Sequence, residues 1–344
     1  MENNFEPQSA EHILSQNANI NSHFKIRPEQ LLQLQDAVAN MQTEIQKLIV
    51  GQTDVIRFLA TALFTGGHVL IEGMPGIAKT LMAKLLANTI NVGYNRIQFT
   101  PDLMPTDVLG TSVFNMKTAE FQFNRGPLFT NIVLIDEINR SPAKTQAALF
   151  EVMEEQQITI DGHRYEMEFP FMVLATQNPV EQEGTYKLPE AQLDRFIFRL
   201  KVNYPSLAEE KLIINRFKED FNKRALVEVK QVLNVADIAR YRELIEYIFI
   251  KDELVNYIAQ LVHQTRNHPD LFLGASPRAS LAIVKAAKAM AAMNGREFVT
   301  PDDIKTVAYP VLNHRIILTP EREMEGVDSE MVIKNIIEGI EIPR

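Results

Sequence analysis

Five short apolar runs, at residues 69–71, 97–99, 132–135, 171–175 and 197–200, alternate with longer stretches of helical spacing. Runs this short without polar alternation are what strands covered on both faces require. Parallel strands need a crossover between them, and the intervening stretches are long enough to be helices. The pattern confines residues 27–204 to an α/β core built on a parallel five-stranded sheet. With 46% apolar residues in a chain of 344, there is material for that core and for a second domain.

In a parallel sheet, ligands bind beyond the carboxyl ends of the strands. Directly after the first run the chain reads E-G-M-P-G-I-A-K-T at 72–80. This nearly matches the phosphate-loop pattern G-x-x-x-x-G-K-[ST], except that Ala78 stands where the second glycine belongs. Such a loop works by aiming successive backbone N–H groups at a phosphate from a helix start. Glycine is expected to matter at Gly73 and Gly76, where the backbone must turn or approach the ligand; position 78 should enter the helix and tolerate a methyl group. Lys79 would reach the β- and γ-phosphates, and the Thr80 hydroxyl would ligate Mg²⁺. An ordinary strand-turn-helix would use the same Pro and Gly.

The third run ends in Asp136 and Glu137. Beside a phosphate loop, Asp136 can hold Mg²⁺ through water and Glu137 can polarise the water that attacks the γ-phosphate. A solvated acidic turn reads the same way. The fourth run ends A-T-Q-N-P at 175–179, where Asn178 either orients that water or simply initiates a turn before Pro179. Arg195, before the fifth run, pairs with Asp194, with another carboxylate, or with a phosphate. Arg278 occupies the second position of a helix opened by Ser276-Pro277, against the dipole, a placement that suits an anionic partner or an exposed, screened arginine.

Other segments set the surroundings. Residues 1–26 are polar and read as a mobile arm. Leu31, Leu34, Val38, Met41, Ile45 and Leu48 form one stripe of an amphipathic helix. Residues 111–114 with 121–123, and 158–160 with 165–167 around Asp161-Gly162, read as two inserted β-hairpins. After Pro205 the strand pattern stops, and the caps Ser206 with Glu209, Ser276-Pro277 and Thr300-Pro301 predict a smaller all-helical lid domain over 205–344.

Composition excludes several classes. With no cysteine there are no disulfides or thiolate metal sites, and the seven histidines lack metal-binding spacing. A net charge of −9 argues against a general nucleic-acid binder. No apolar run has the ~20 residues of a membrane span, and no secretory leader is visible, so a cytoplasmic protein is expected.

Taken together, E-G-M-P-G-I-A-K-T, R-I-Q-F-T-P-D-L-M-P-T-D-V-L-G, I-V-L-I-D-E-I-N-R-S-P-A-K-T-Q, L-A-T-Q-N-P, L-P-E-A-Q-L-D-R-F and G-A-S-P-R-A resemble the AAA+ ATPases, and within them the MoxR family. The resemblance runs from about residue 30 to the end, and alanine before the loop lysine is similar to the habit of that family. It implies a P-loop AAA+ fold binding ATP and Mg²⁺. Lys79 and Thr80 would be the Walker A pair, within a loop formed by Gly73, Met74, Pro75, Gly76, Ile77, Ala78, Lys79, Thr80 and Leu81. Asp136 and Glu137 would be the Walker B pair, Asn178 sensor 1, Arg195 an arginine finger acting on a neighbouring subunit, and Arg278 sensor 2. Val50, Gly51 and Gln52 would lie against the adenine.

The family also implies ring-shaped homo-hexamers, pore-facing hairpins, and protein partners that often contain a von Willebrand factor A domain. The function expected is ATP hydrolysis that remodels or matures a protein partner. Two rivals are a nucleic-acid motor, which calls for basic or aromatic hairpin tips where this chain offers Lys117 at the first and His163 with Arg164 at the second, and a nucleotide-gated scaffold with little turnover.

Overall fold

The structure is a computed structural model that describes residues 26–178, 186, 188–218 and 228–343. The polar arm therefore lies outside the described residues, apart from Ile26, which packs on the core; Pro179 and residues 219–227 of the lid lie outside them too.

Helix α1 (Pro28–Gln46) starts with proline at its first position and buries Leu31, Leu34, Ala37, Met41 and Ile45. Each large side chain on that stripe contributes at most ~1.5–3 kcal/mol by leaving water. Val38 is half-buried, while Leu48, just beyond the helix, is buried. The chain continues through α2 (Thr53–Thr65), β1 (His68–Gly73), α3 (Lys79–Ile90), β2 (Tyr94–Gln98), α4 (Pro105–Leu109), β3 (Gly110–Asn115), β4 (Glu120–Arg125) and β5 (Ile132–Asp136). Then come α5 (Ala143–Glu155), β6 (Gln157–Ile160), β7 (His163–Glu166), β8 (Met172–Gln177), α6 (Glu190–Leu193) and β9 (Phe196–Val202).

Five of these strands form a parallel sheet in the order β2-β5-β8-β1-β9. Side chains alternate between its faces. Val69, Ile71, Ile132, Leu134, Met172 and Leu174 join one apolar cluster. Leu70, Val133, Ile135, Val173 and Ala175 join the other. That double burial is why the runs read as continuously apolar. The second strand lies earlier than the run at 97–99 suggested, because β2 is an edge strand in which only Ile97 is buried. Its polar Arg96 and Gln98 turn out to face the acidic residues of β5.

The two hairpins form as expected, β3 against β4 and β6 against β7. Ser112 Oγ and Asp161 Oδ2 tie them together. The first hairpin leaves Met116 90% and Phe121 73% exposed. Phe114 packs on Phe121 with ring centroids 5.3 Å apart.

The C-terminal region is helical: α7 (Leu207–Phe217), α8 (Val235–Glu246), α9 (Asp252–Asn267), α10 (Pro277–Met293), α11 (Pro301–Leu312), α12 (Pro320–Met324) and α13 (Ser329–Gly339). The capping boxes at Ser206 and Thr300, and the Ser276 N-cap, sit where the sequence placed them. One addition interrupts the helices, a small antiparallel pair of β10 (Leu271–Leu273) and β11 (Ile317–Leu318). Among the described residues, no helix is long and apolar enough to cross a membrane.

Candidate functional site

The phosphate-loop candidate leaves the carboxyl end of β1 and enters α3, as such a loop must. Gly76 has φ +85°, and a side chain at Gly73 would meet Ile77 Cδ1 and the Val202 carbonyl at 2.5 and 2.6 Å. Both glycines are thus required. Ala78 differs from the sequence expectation: it is the N-cap of α3 rather than a helical residue, and it takes φ +62°. The methyl group fits, but in a left-handed backbone that costs an L-residue on the order of 1–2 kcal/mol. Lys79 Nζ donates to the Gly73 carbonyl at 2.6 Å, folding the side chain back over the loop. Met74, Pro75, Ile77, Thr80 and Leu81 lie in or just after this turn.

Two strands away, Asp136 ends β5, and Glu137 follows at φ +56°, heading a short 3₁₀ turn (Ile138–Arg140). Asp136 is buried, and Arg96 Nε donates to its Oδ2 at 2.5 Å. Thr176, in the middle strand β8, serves both acidic residues. Its hydroxyl donates to Asp136 Oδ1 at 3.0 Å and accepts from the Glu137 N–H at 3.0 Å. Gln98 Nε2 donates to Glu137 Oε2 at 2.8 Å, and Arg140 Nε lies 3.0 Å from the same oxygen. Tyr94 marks how dry this edge is: burial first, then the Asp136 charge, pushes its hydroxyl up to about 12.

Asn178 follows β8, whose Gln177 pairs with Glu72 of β1, so it stands between the loop and the acidic pair. Val50, Gly51 and Gln52 line a cavity of about 410 Å³ with Tyr204 and Glu209. Gln52 Nε2 donates to the Ile77 carbonyl at 3.3 Å, linking that cavity to the loop.

Hard oxygen donors in this cluster, the Thr80 hydroxyl and the Asp136 carboxylate, suit Mg²⁺, which keeps several waters and uses few protein ligands. Among the described residues, no group of three acidic or histidine side chains could hold a metal ion.

Arg195 and Arg278 lie elsewhere. Strand β9 pairs with β1 from His68↔Phe196 to Gly73↔Val202. Arg195 thus stands at the amino end of the sheet, one residue before Phe196, whose partner His68 is itself five residues or roughly 16 Å from Gly73. Its Nη1 donates to the Phe150 carbonyl at 2.8 Å and pairs with Glu154 Oε2. Arg278 Nη2 donates to Glu154 Oε1 at 2.9 Å. Of the alternatives open for Arg195, the neighbouring Asp194 is not its partner in this structure. Asp194 instead accepts from Arg315 Nε at 2.6 Å and from Ser276 Oγ at 2.9 Å. Arg315 is nearly fully buried and also donates to the carbonyls of Asp194 and Phe196. Burial pushes its guanidinium below the usual arginine range, against the pull of Asp194.

Sequence reasoning missed Thr176, Arg96, Glu154 and Arg315. Thr176 lay inside the quoted L-A-T-Q-N-P, so its position was legible; the pairings of the others span distant elements.

Comparisons with known proteins bear on the family and the fold. Residues 68–198 match the profile of the ATPase family associated with various cellular activities (AAA), and residues 263–336 match the AAA lid domain. The chain is 44% identical over 299 residues to the uncharacterized protein YeaC of Bacillus subtilis, covering 87% of this chain and 92% of that one. It is 41% identical over 310 residues to Chaperone MoxR1 of Mycobacterium tuberculosis, covering 88% and 81%. A crystal structure from Cytophaga hutchinsonii, described as a candidate ATPase, superposes with a TM-score of 0.84 at 40% identity, covering 96% of this chain and all of that one. A phosphate-loop sheet with a helical lid, and relatives spanning nearly the whole chain, lead to one assignment: this chain belongs to the MoxR family of AAA+ ATPases.

Proposed function

We propose that this protein is a Mg²⁺-dependent ATP hydrolase that works as a ring: each site is shared between two subunits, and hydrolysis remodels or matures a protein partner. The observation that carries the reading is the separation within one chain. The loop, Asp136, Glu137 and Asn178 sit at the carboxyl ends of the strands, whereas Arg195 sits at the amino end, with Arg278 of the lid beside it through their shared partner Glu154.

On this reading Gly73 to Leu81 cradle the phosphates and Lys79 binds the β- and γ-phosphates. Thr80 and Asp136 would hold Mg²⁺, which supplies charge neutralisation on the phosphate oxygens. Glu137 accepts the proton of the attacking water at its carboxylate, and Asn178 orients that water. Arg195 and Arg278 are too far from their own loop and stabilise the γ-phosphate held by the next subunit. Val50, Gly51 and Gln52 receive the adenine. We place the nucleotide core at 27–204, the lid at 205–344 and the arm at 1–26.

A homo-hexamer in the cytoplasm, acting on a partner with a von Willebrand factor A domain, is the assembly this family membership favours. The exposed Phe114, Met116 and Phe121 suit an apolar polypeptide.

The test is steady-state ATPase activity against protein concentration, with light scattering on the same Mg-ATP samples. Specific activity should rise with assembly mass, and Glu137→Gln should bind ATP and assemble but not turn over. Turnover by a persistent monomer, or wild-type turnover by Glu137→Gln, would reject the reading. Stimulation by single-stranded DNA rather than by an unfolded polypeptide would favour a nucleic-acid motor.

A further inference from the structure

Glu154, one residue before the end of α5, carries two arginines on one carboxylate. Its Oε2 pairs with Arg195 and its Oε1 accepts from Arg278 at 2.9 Å, so the triad keeps one net positive charge. Glu154 is 37% and Arg278 54% exposed along their side chains, so the triad opens to solvent. Arg195 is more enclosed, and its Nε is buried with no hydrogen-bond partner. A guanidinium with an unused buried donor has capacity for a further acceptor.

The two arginines are also held in register with each other. Asp194, adjacent to Arg195, accepts from the hydroxyl of Ser276 at 2.9 Å. Ser276 caps the helix that carries Arg278, accepting from the Arg278 N–H at 3.2 Å. Arg315 anchors Asp194 from the buried side. The sheet and the lid thus present Arg195 and Arg278 as a fixed pair, with Glu154 lying across it.

Two arginines converging on one anion form a fork suited to phosphate, which offers more charge and more acceptor oxygens than a carboxylate. We propose that Glu154 occupies Arg195 and Arg278 in the unassembled subunit and yields them to the γ-phosphate of the nucleotide held by the neighbouring subunit. Glu154 is then a positioning residue that withholds the pair until phosphate displaces it, so that this exchange couples assembly to ATP. This inference rests on the trans role proposed above for the two arginines.

The experiment compares full-length wild type with Glu154→Gln in ATPase and light-scattering titrations against protein and against Mg-ATP. Removing a partly exposed ion-pair competitor should lower the half-saturating ATP concentration for assembly roughly two- to fivefold. Glu154→Asp, which keeps the charge but is one methylene too short to span both arginines, should shift it in the same direction by less; it also serves if Glu154→Gln does not fold. A purely structural Glu154 would lower thermal stability and leave that concentration unchanged or raise it, and either result overturns the inference. Arg195→Ala and Arg278→Ala test the underlying reading separately: wild-type hydrolysis by both would reject the trans role, whatever Glu154→Gln does.

Discussion

The residue with the least comfortable backbone in the loop is Ala78. Its left-handed conformation, together with that of Glu137 in the acidic turn, places two non-glycine residues at positive φ on the edge of the same cluster. Strain of that kind persists only where the surroundings impose it, and it concentrates at functional sites. Replacing Ala78 with glycine removes the Cβ conflict but adds freedom to the unfolded chain. The two effects should leave Ala78→Gly more stable by about 0.5–1 kcal/mol, read as a shift in urea midpoint at constant slope. A loss of stability would mean that the methyl group contributes packing that outweighs the backbone strain.

Among the elements, β1, β8 and α5 meet at a histidine. His68 Nε2 donates to the Met153 carbonyl at 3.0 Å and Nδ1 accepts from the Val173 N–H at 3.0 Å, which suits the neutral ring. Burial pushes its pKa down to about 4. Because the folded value lies below the unfolded one, its stabilisation is complete above pH ~6.5 and is lost as the pH falls towards 4. Going from pH 7 to pH 5 should cost about 2 kcal/mol from this residue alone. His314, also buried and pushed well down by burial and by Arg315, adds in the same direction. Urea unfolding at the two pH values should show the loss, and His68→Gln, which cannot titrate, should lose less.

Elements were also where the sequence was most legible. The runs in β1, β5 and β8 stood out because each strand is an inner one buried on both faces, that in β9 because its apolar residues are buried as well, and the caps at Ser206, Ser276 and Thr300 because capping chemistry is local. The strands β10 and β11, of three and two residues, leave no period to read. The conformation of Ala78 was invisible because alanine is no marker of positive φ. Glu154 and Arg315 were invisible for another reason: their pairings with Arg278 and Asp194 span 124 and 121 positions, and only the folded lid brings them together.

For the whole molecule, the first hairpin is mostly exposed and reaches the core chiefly through Phe123. Its tip bears Met116 and sits beside the exposed Phe114 and Phe121. Deleting residues 115–120 should leave basal ATPase largely intact while abolishing work on the partner, measured as partner-stimulated turnover. Equal loss of both would tie the hairpin to the nucleotide site instead.

The distance between the phosphate loop and the arginine pair has a genetic corollary. With sites shared between subunits as proposed, a chain lacking Lys79 would still lend its arginines, and a chain lacking Arg195 would still lend its loop. Two alleles that are each inactive alone would then restore some function when expressed together, at those junctions where the intact halves face one another.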